Sequence, residues 1–397
     1  ESGAPSHHIM GTVPARPPHP LPQGRFDPIP RGPSTQASDG QVFLYAAALM
    51  PMQERLTVAM PFTIRVGRGV ISEIPRVVSE VEPRAKTVTL VGDDGIWFVV
   101  ERVAEDLRSE GFDVRTSKIS APTPQELERV TGEARGSDLV MGIGGGMNLD
   151  IAKATAYNLG VRLVSVPTST STDAMATPFA ILWEEGRSRA VKGATPLALI
   201  ADLDIIWKAP PKLQLSGFGD YIAKVTAIPD LRLAYMLGRE KNYDELAVML
   251  AERFTEELIF SADGIPAKDI EVWKMYVLFL ALDGMLMSMC NTTRIAAGSE
   301  HLFSYALEEV TKKGLTHGET VGIGTALLAP LHGIDRDYVL DALERAGLPA
   351  SFADMGVSKE EAVKALTIAH RMRDWYTVLG DNGISEEAAE RLVRDMV

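Results

Sequence analysis

Two histidines stand close together in GSEHLFSYALEEVTKKGLTHGE, which runs from Gly298 to Glu319. They are His301 and His317, two of the four histidines beyond the first twenty residues of a 397-residue chain, and each has a glutamate within two residues. Upstream, SGFGDYIAK places Asp220 beside two glycines. An Asp/His/His set supplies three ligands to a divalent ion and leaves a position open for a substrate oxygen, the arrangement of a Lewis-acid catalyst. A plainer role is also open: read at a helix start, Asp220 is an ordinary N-cap. His332 and His370 have no partner pattern and read as surface or cap residues.

A second cluster suits phosphate. In DLVMGIGGGMNLDIAK an apolar run enters Gly142, Gly144, Gly145 and Gly146, and the following stretch carries Asp150 and Lys153. Glycines let backbone N–H groups approach a pyrophosphate, and a helix N-terminus favours its negative charge. The spacing is not G-x-G-x-x-G, and a glycine triplet also serves as a simple tight turn. Beyond the next apolar run, VPTSTSTDAMATPF is rich in hydroxyls and holds one carboxylate, Asp173. It falls at the C-terminal end of an expected parallel strand, where open α/β sheets bind ligands; a solvated turn capped by Asp173 is the alternative.

These residues need elements to hold them. FTIRVG, TVTLVG, FDVRTS, DLVMGIGG and RLVSVPT read as strands, and FVVERVAEDLRSEG and PQELERVTGEARG read as helices between them. Strands alternating with helices imply a parallel, doubly wound sheet. After about Lys208 the strand signal disappears and helical spacing continues almost to the C-terminus. The expected fold class is therefore α/β: a doubly wound, mostly parallel nucleotide-binding domain over residues 58–207, then an all-helical metal and substrate domain over 208–397. The site is expected in the cleft between them. Residues 1–57, with nine prolines among the first 33 and no apolar periodicity before Val42, read as a disordered or peripheral extension. His7, His8 and His19 are given no chemistry.

Composition excludes other classes of function. With 46% hydrophobic and 23% charged residues the chain is typical of a soluble globular protein. A net charge of -13 without a basic tract argues against nucleic acid as a partner. The single cysteine, Cys290, forms no internal disulfide and no thiolate metal site, which suits the cytoplasm. VFLYAAALMPM is too short to span a membrane, and the run from Met275 to Cys290 carries Asp283, so no membrane insertion is expected.

GGGMNLDIAK, VPTSTSTDAMATPFA, ALIADLDIIWKAPPKLQLSGFGDYIAKVTA, GSEHLFSYAL and HGETVGIGT together resemble, in order, the motifs of the glycerol-1-phosphate dehydrogenases. These belong with the glycerol dehydrogenases, iron-type alcohol dehydrogenases and dehydroquinate synthases. The resemblance covers about Thr63 to the C-terminus. It implies reversible NAD(P)H-dependent reduction of dihydroxyacetone phosphate to sn-glycerol 1-phosphate, an ether-lipid backbone, with Zn2+ held by Asp220, His301 and His317. It further implies that Gly144, Gly145, Gly146, Met147 and Asn148 line the dinucleotide pyrophosphate, with Asp150 and Lys153 on the helix that follows. Thr168, Ser169, Thr170, Ser171 and Thr177 would contact the nicotinamide side, and Asp173 the substrate. Lys192 and Arg294 are candidate cations for the substrate phosphate. The family habit favours a homo-oligomer.

Three departures bear on substrate choice. Ser171-Thr172-Asp173 stands where the resembled family has Ser-His-Asp. Tyr305, one helical turn after His301, stands where it has a second histidine at a substrate-contacting position. GDDGIWFVVE lacks the family's Thr/Lys-rich form. A phenol offers one hydroxyl and no positive charge, so a weaker phosphate preference is expected at Tyr305. Asp93 and Asp94, after TVTLVG, suit a ribose 2′-hydroxyl and so NADH, or cap the next helix. A glycerol or other polyol dehydrogenase, and a non-catalytic nucleotide- or metal-binding relative, are the alternatives.

Overall fold

The computed structural model describes residue 58 and residues 60–184 and 187–396. The expected N-terminal extension, its three histidines and VFLYAAALMPM lie outside the described residues. Arg55–Val397 forms one compact unit.

The sheet half contains β1 (Thr63–Gly67), α1 (Ile74–Val81), β2 (Thr87–Gly92), α2 (Trp97–Ser109), β3 (Asp113–Lys118), α3 (Pro124–Glu133), β4 (Leu139–Gly144), α4 (Gly146–Leu159) and β5 (Arg162–Pro167). A β6–β7 pair (Phe179–Glu184 and Arg187–Lys192) and β8 (Ala198–Asp202) follow. Six strands pair in the order β1-β8-β5-β4-β2-β3, all parallel, while β6 and β7 form a separate antiparallel hairpin. Strand side chains alternate between faces, and this sheet is covered on both. Val88, Leu90, Met141 and Val164 pack with α1 and α2, whereas Val91, Val140 and Leu163 face the side of α3 and α4. Leu199 and Ala201 of β8 join the helical core, so β8 carries the seam between the two halves. The strands read from the sequence match β1 to β5. The hairpin and β8 were not anticipated; ALIAD is a five-residue buried run with no alternation to mark it.

The helical half begins with the short α5 (Leu203–Ile206) and continues with α6 (Pro211–Ile222), α7 (Lys224–Met236), α8 (Glu245–Phe260), α9 (Ile270–Cys290), α10 (Ser299–Thr311), α11 (His317–Leu328), α12 (Arg336–Ala346), α13 (Lys359–Ile368) and α14 (Glu386–Arg394). The long apolar α9 is a core helix: Trp273, Tyr276, Leu280 and Leu286 are buried, and its Asp283 is ion-paired with Lys224 of α7 at 2.7 Å.

Asp220 does not cap a helix start. It lies in the last turn of α6, where Gly219 serves a helix crossing instead and Gly217 lets the Thr170 carbonyl approach the helix. A Cβ on Gly219 would lie 2.1 Å from the carbonyl oxygen of Gly318 in α11, and one on Gly318 would meet the carbonyl oxygen of Ser216. The backbones therefore touch, and the Gly318 N–H donates to the Ser216 hydroxyl at 3.0 Å. Alanine at position 219 would raise helix propensity by about 1 kcal/mol, but forcing a methyl group into a packed contact costs about 1 to 3 kcal/mol or more. Gly219→Ala is thus expected to lower thermal stability and weaken metal binding together. A variant more stable than the parent would show that the crossing is loose.

Candidate metal and dinucleotide site

The α6–α11 crossing brings together residues nearly a hundred positions apart. Asp220 ends α6, His317 is the first residue of α11, and His301 sits in the first turn of α10, which packs on α11. Thr316 caps α11, accepting from the Glu319 N–H while the Glu319 side chain accepts from the Thr316 N–H, a capping box that fixes the direction in which His317 leaves the helix. One donor atom from each of Asp220, His301 and His317 lies within 4.8 Å of the others. His301 Nε2 is 3.3 Å and His317 Nε2 is 3.5 Å from the same Asp220 oxygen, Oδ1.

Sequence reading missed the residue that orients this set. Glu300 is completely buried, and its Oε1 lies 2.9 Å from His301 Nδ1. The same carboxylate accepts from the Gly298 N–H and from the Thr226 hydroxyl. With Nδ1 engaged by a carboxylate, Nε2 of His301 is left facing Asp220 as the ligand atom. The signal was present in the glutamate directly before His301, but only the fold reveals that it faces Nδ1.

The electrostatics fit a cation. Burial works against ionised Asp220, yet the imidazoles of His317 and His301 hold its carboxyl well below the usual range. Burial likewise opposes charge on His301, and its hydrogen bonds to Asp220 and Glu300 override that, keeping the pKa raised. For Asp173, burial and then the negative charge of Asp220 push the carboxyl up to about 6. A spot that draws protons onto histidine between carboxylates, and that presents two Nε2 atoms and one carboxylate oxygen, has the chemistry of a divalent-ion site.

This set lines a cavity of about 740 Å3 between the sheet's C-terminal edge and the helical half. Asp173 also lines it, half-buried in a short turn that Thr172, not Asp173, caps. Tyr305 faces it too, its ring centroid 6.1 Å from that of His301 and 6.2 Å from that of His317.

The glycine turn forms the dinucleotide side. Gly144 has φ +143°, and a Cβ there would collide with the Asn148 side chain, so the turn into α4 requires glycine. Gly145 faces the Ser169 and Ser171 hydroxyls, leaving a cradle that a methyl group would begin to fill. Asn148 is buried with its Oδ1 lacking a partner among the described residues. Met147 and Thr177 line the cavity, and Thr168 is buried at the end of β5. Three expected cofactor residues are committed within the protein. Asp150 and Lys153 pair with each other at 2.8 Å, and Lys153 also donates to Thr177. Thr170 turns toward α6, donating to the Gln214 carbonyl at 2.7 Å while its own carbonyl accepts from Gly217. Asp93 accepts from the Gly95 N–H and from Asn148 Nδ2, and Asp94 pairs with Lys118.

The two expected phosphate cations lie elsewhere. Arg294 is buried, donates to the Tyr376 carbonyl at 2.7 Å and packs on Trp375, because the turn before α10 points inward. Lys192 is exposed at the end of β7 and is not part of the cavity lining. His332 is not a surface residue: its side chain is 7% exposed and its Nε2 lies 3.4 Å from buried Asp230. His370 is half-buried near Gly383.

Comparison with known proteins gives a consistent set. The family described as iron-containing alcohol dehydrogenase matches residues 65–210. The glycerol-1-phosphate dehydrogenase [NAD(P)+] of Hyperthermus butylicus is 40% identical over 346 residues, 85% of this chain and 97% of that one. Those of Aeropyrum pernix and Methanothermobacter thermautotrophicus are 38% and 35% identical, each over at least 84% of this chain and 96% of the relative. Among solved structures, a probable glycerol dehydrogenase from Sinorhizobium meliloti shares the fold with a TM-score of 0.68 at 22% identity, covering 86% of this chain and 98% of that one. The glycerol dehydrogenase of Schizosaccharomyces pombe gives 0.64 at 17%, covering 86% and 90%.

Replacing a carboxylate that orients a metal-binding histidine typically weakens metal affinity about 10- to 100-fold. Glu300→Gln keeps the shape and removes the charge, so zinc affinity, measured by competition with a chelator, is expected to fall within that range. Unaltered affinity in a folded variant would show that Glu300 has no part in orienting His301.

Proposed function

The chain belongs to the glycerol-1-phosphate dehydrogenase family, and from that premise we propose that it catalyses the reversible NAD(P)H-dependent reduction of dihydroxyacetone phosphate to sn-glycerol 1-phosphate. The observation that carries this reading is the convergence of Asp220, His301 and His317 within 4.8 Å on a cavity that the glycine turn also lines.

Asp220 and the Nε2 atoms of His301 and His317 would hold a divalent ion, which we assign as zinc. When bound, the ion supplies Lewis-acid polarisation of the C2 carbonyl and the reduced nicotinamide supplies hydride. The chain's own residues do the positioning. Backbone N–H groups from Gly144 to Asn148, at the α4 N-terminus, would hold the dinucleotide pyrophosphate. The hydroxyls of Thr168, Ser169, Ser171 and Thr177 would border the nicotinamide side. Asp173, with its carboxyl raised to about 6, can give or accept a hydrogen bond at a substrate hydroxyl near neutral pH. Both histidines of the site are used as ligands, so the alkoxide's proton would come through a water or substrate-hydroxyl relay. A buried free Cys290 suits the reducing cytoplasm, and we place the enzyme there as a homo-oligomer serving ether-lipid synthesis.

Tyr305 favours one second reading, a polyol dehydrogenase that accepts the unphosphorylated ketone. NADH and NADPH oxidation with dihydroxyacetone phosphate, with dihydroxyacetone and, in reverse, with glycerol separates the two. Dihydroxyacetone phosphate is expected to be the best substrate, with activity lost on chelation and restored by zinc. Turnover of dihydroxyacetone alone would establish the second reading, and no turnover in any direction would exclude both.

A further inference from the structure

The cavity holds acidic groups at its metal end, in Asp220, Asp173 and Asp283, and a phosphate bound against them would be repelled. The phosphate end of a triose phosphate therefore needs a cation away from the carboxylates. Among the described residues that line the cavity, three are cationic: Arg189, Lys313 and Arg373. Arg189 is paired with Glu184 at 3.1 Å, and Lys313 with Glu361. Arg373 has no carboxylate partner among the described residues, although Glu308 shares the lining. Its guanidinium carbon lies 5.0 Å from the ring centroid of Tyr305, the residue that also neighbours both metal-binding histidines.

Arg373 comes from the segment after α13, and its Nη2 donates across the cavity mouth to Ser188 of the β6–β7 hairpin, at 2.9 Å to Oγ and 3.5 Å to the carbonyl. Its Nε and Nη1 donors have no partner among the described residues. A guanidinium presents planar donors that match phosphate oxygens, and stacking on an aromatic face orients it without neutralising its charge.

We propose that Arg373, stacked on Tyr305 at the cavity mouth, is the cation that binds the substrate phosphate. The proposal rests on the reading that the substrate is a triose phosphate. It supplies the charge that Tyr305 does not, and it turns the substrate so that its hydroxyl end meets the acidic floor.

The test compares the zinc-loaded parent with Arg373→Met, Arg373→Lys, Ser188→Ala and Lys313→Met. The readout is kcat/KM for dihydroxyacetone phosphate divided by kcat/KM for dihydroxyacetone. A lost charge-assisted hydrogen bond corresponds to roughly 10- to 100-fold, so Arg373→Met is expected to lower the ratio by that factor, mainly through KM. Arg373→Lys should recover part of it, and Ser188→Ala and Lys313→Met should change it less than about threefold. A ratio in Arg373→Met within twofold of the parent overturns the proposal. So does an equal loss in Ser188→Ala, which would make the arginine only a tie to the hairpin. If the parent does not turn over dihydroxyacetone phosphate, the reaction reading fails, and calorimetric titration with inorganic phosphate decides for Arg373: tenfold weaker binding in Arg373→Met upholds it, and equal binding overturns it.

Discussion

Everything at the metal end depends on two helices whose backbones touch. Where α6 crosses α11, Gly219 meets the Gly318 carbonyl and Gly318 meets Ser216, at separations no side chain permits. Ordinary helix pairs stand 8 to 10 Å apart because side chains keep them so. Removing those side chains lets Asp220, at the end of one helix, come within 3.5 Å of Nε2 of His317, at the start of the other. A single β-carbon at the contact would separate Asp220 from His317.

That contact leaves a concentration of buried charge that packing alone does not explain. Asp220, Glu300, Asp173 and Asp283 are gathered with Lys224, His301 and His317 beneath one cavity. Buried carboxylates are costly unless paired, and here burial raises Asp283 to about 7 and Asp173 to about 6, while the imidazoles hold Asp220 down. Positive charge at Lys224 and His301 balances part of the cluster, beside the place a divalent ion would take. The surrounding helices, with α9 as their core, give this polar centre its rigid wall.

Much of this was legible in the sequence, for identifiable reasons. Apolar runs ending in glycine marked β2 and β4, and the hydroxyl-rich loop marked the end of β5, because strand and turn chemistry are local. His301 and His317 stood out because histidine is scarce here. What depends on long-range packing was not legible. SGFG looked like a helix start because glycine beside aspartate usually signals one, whereas Gly217 answers to the carbonyl of Thr170 and Gly219 to that of Gly318, both far off in the sequence. Arg294 and Lys192 were singled out for phosphate and Arg373 was not, since a charge in sequence says nothing about which way its loop turns. The sequence likewise does not tell that Lys153 and Asp150, both read as cofactor residues, are paired with each other.

The most direct test is the metal content of the purified chain, reconstituted with zinc and dialysed, beside that of His317→Ala prepared in the same way. One zinc per chain is expected for the parent, with the variant remaining folded and retaining far less. A parent protein that binds no stoichiometric ion would contradict the assignment of Asp220, His301 and His317 as a metal site.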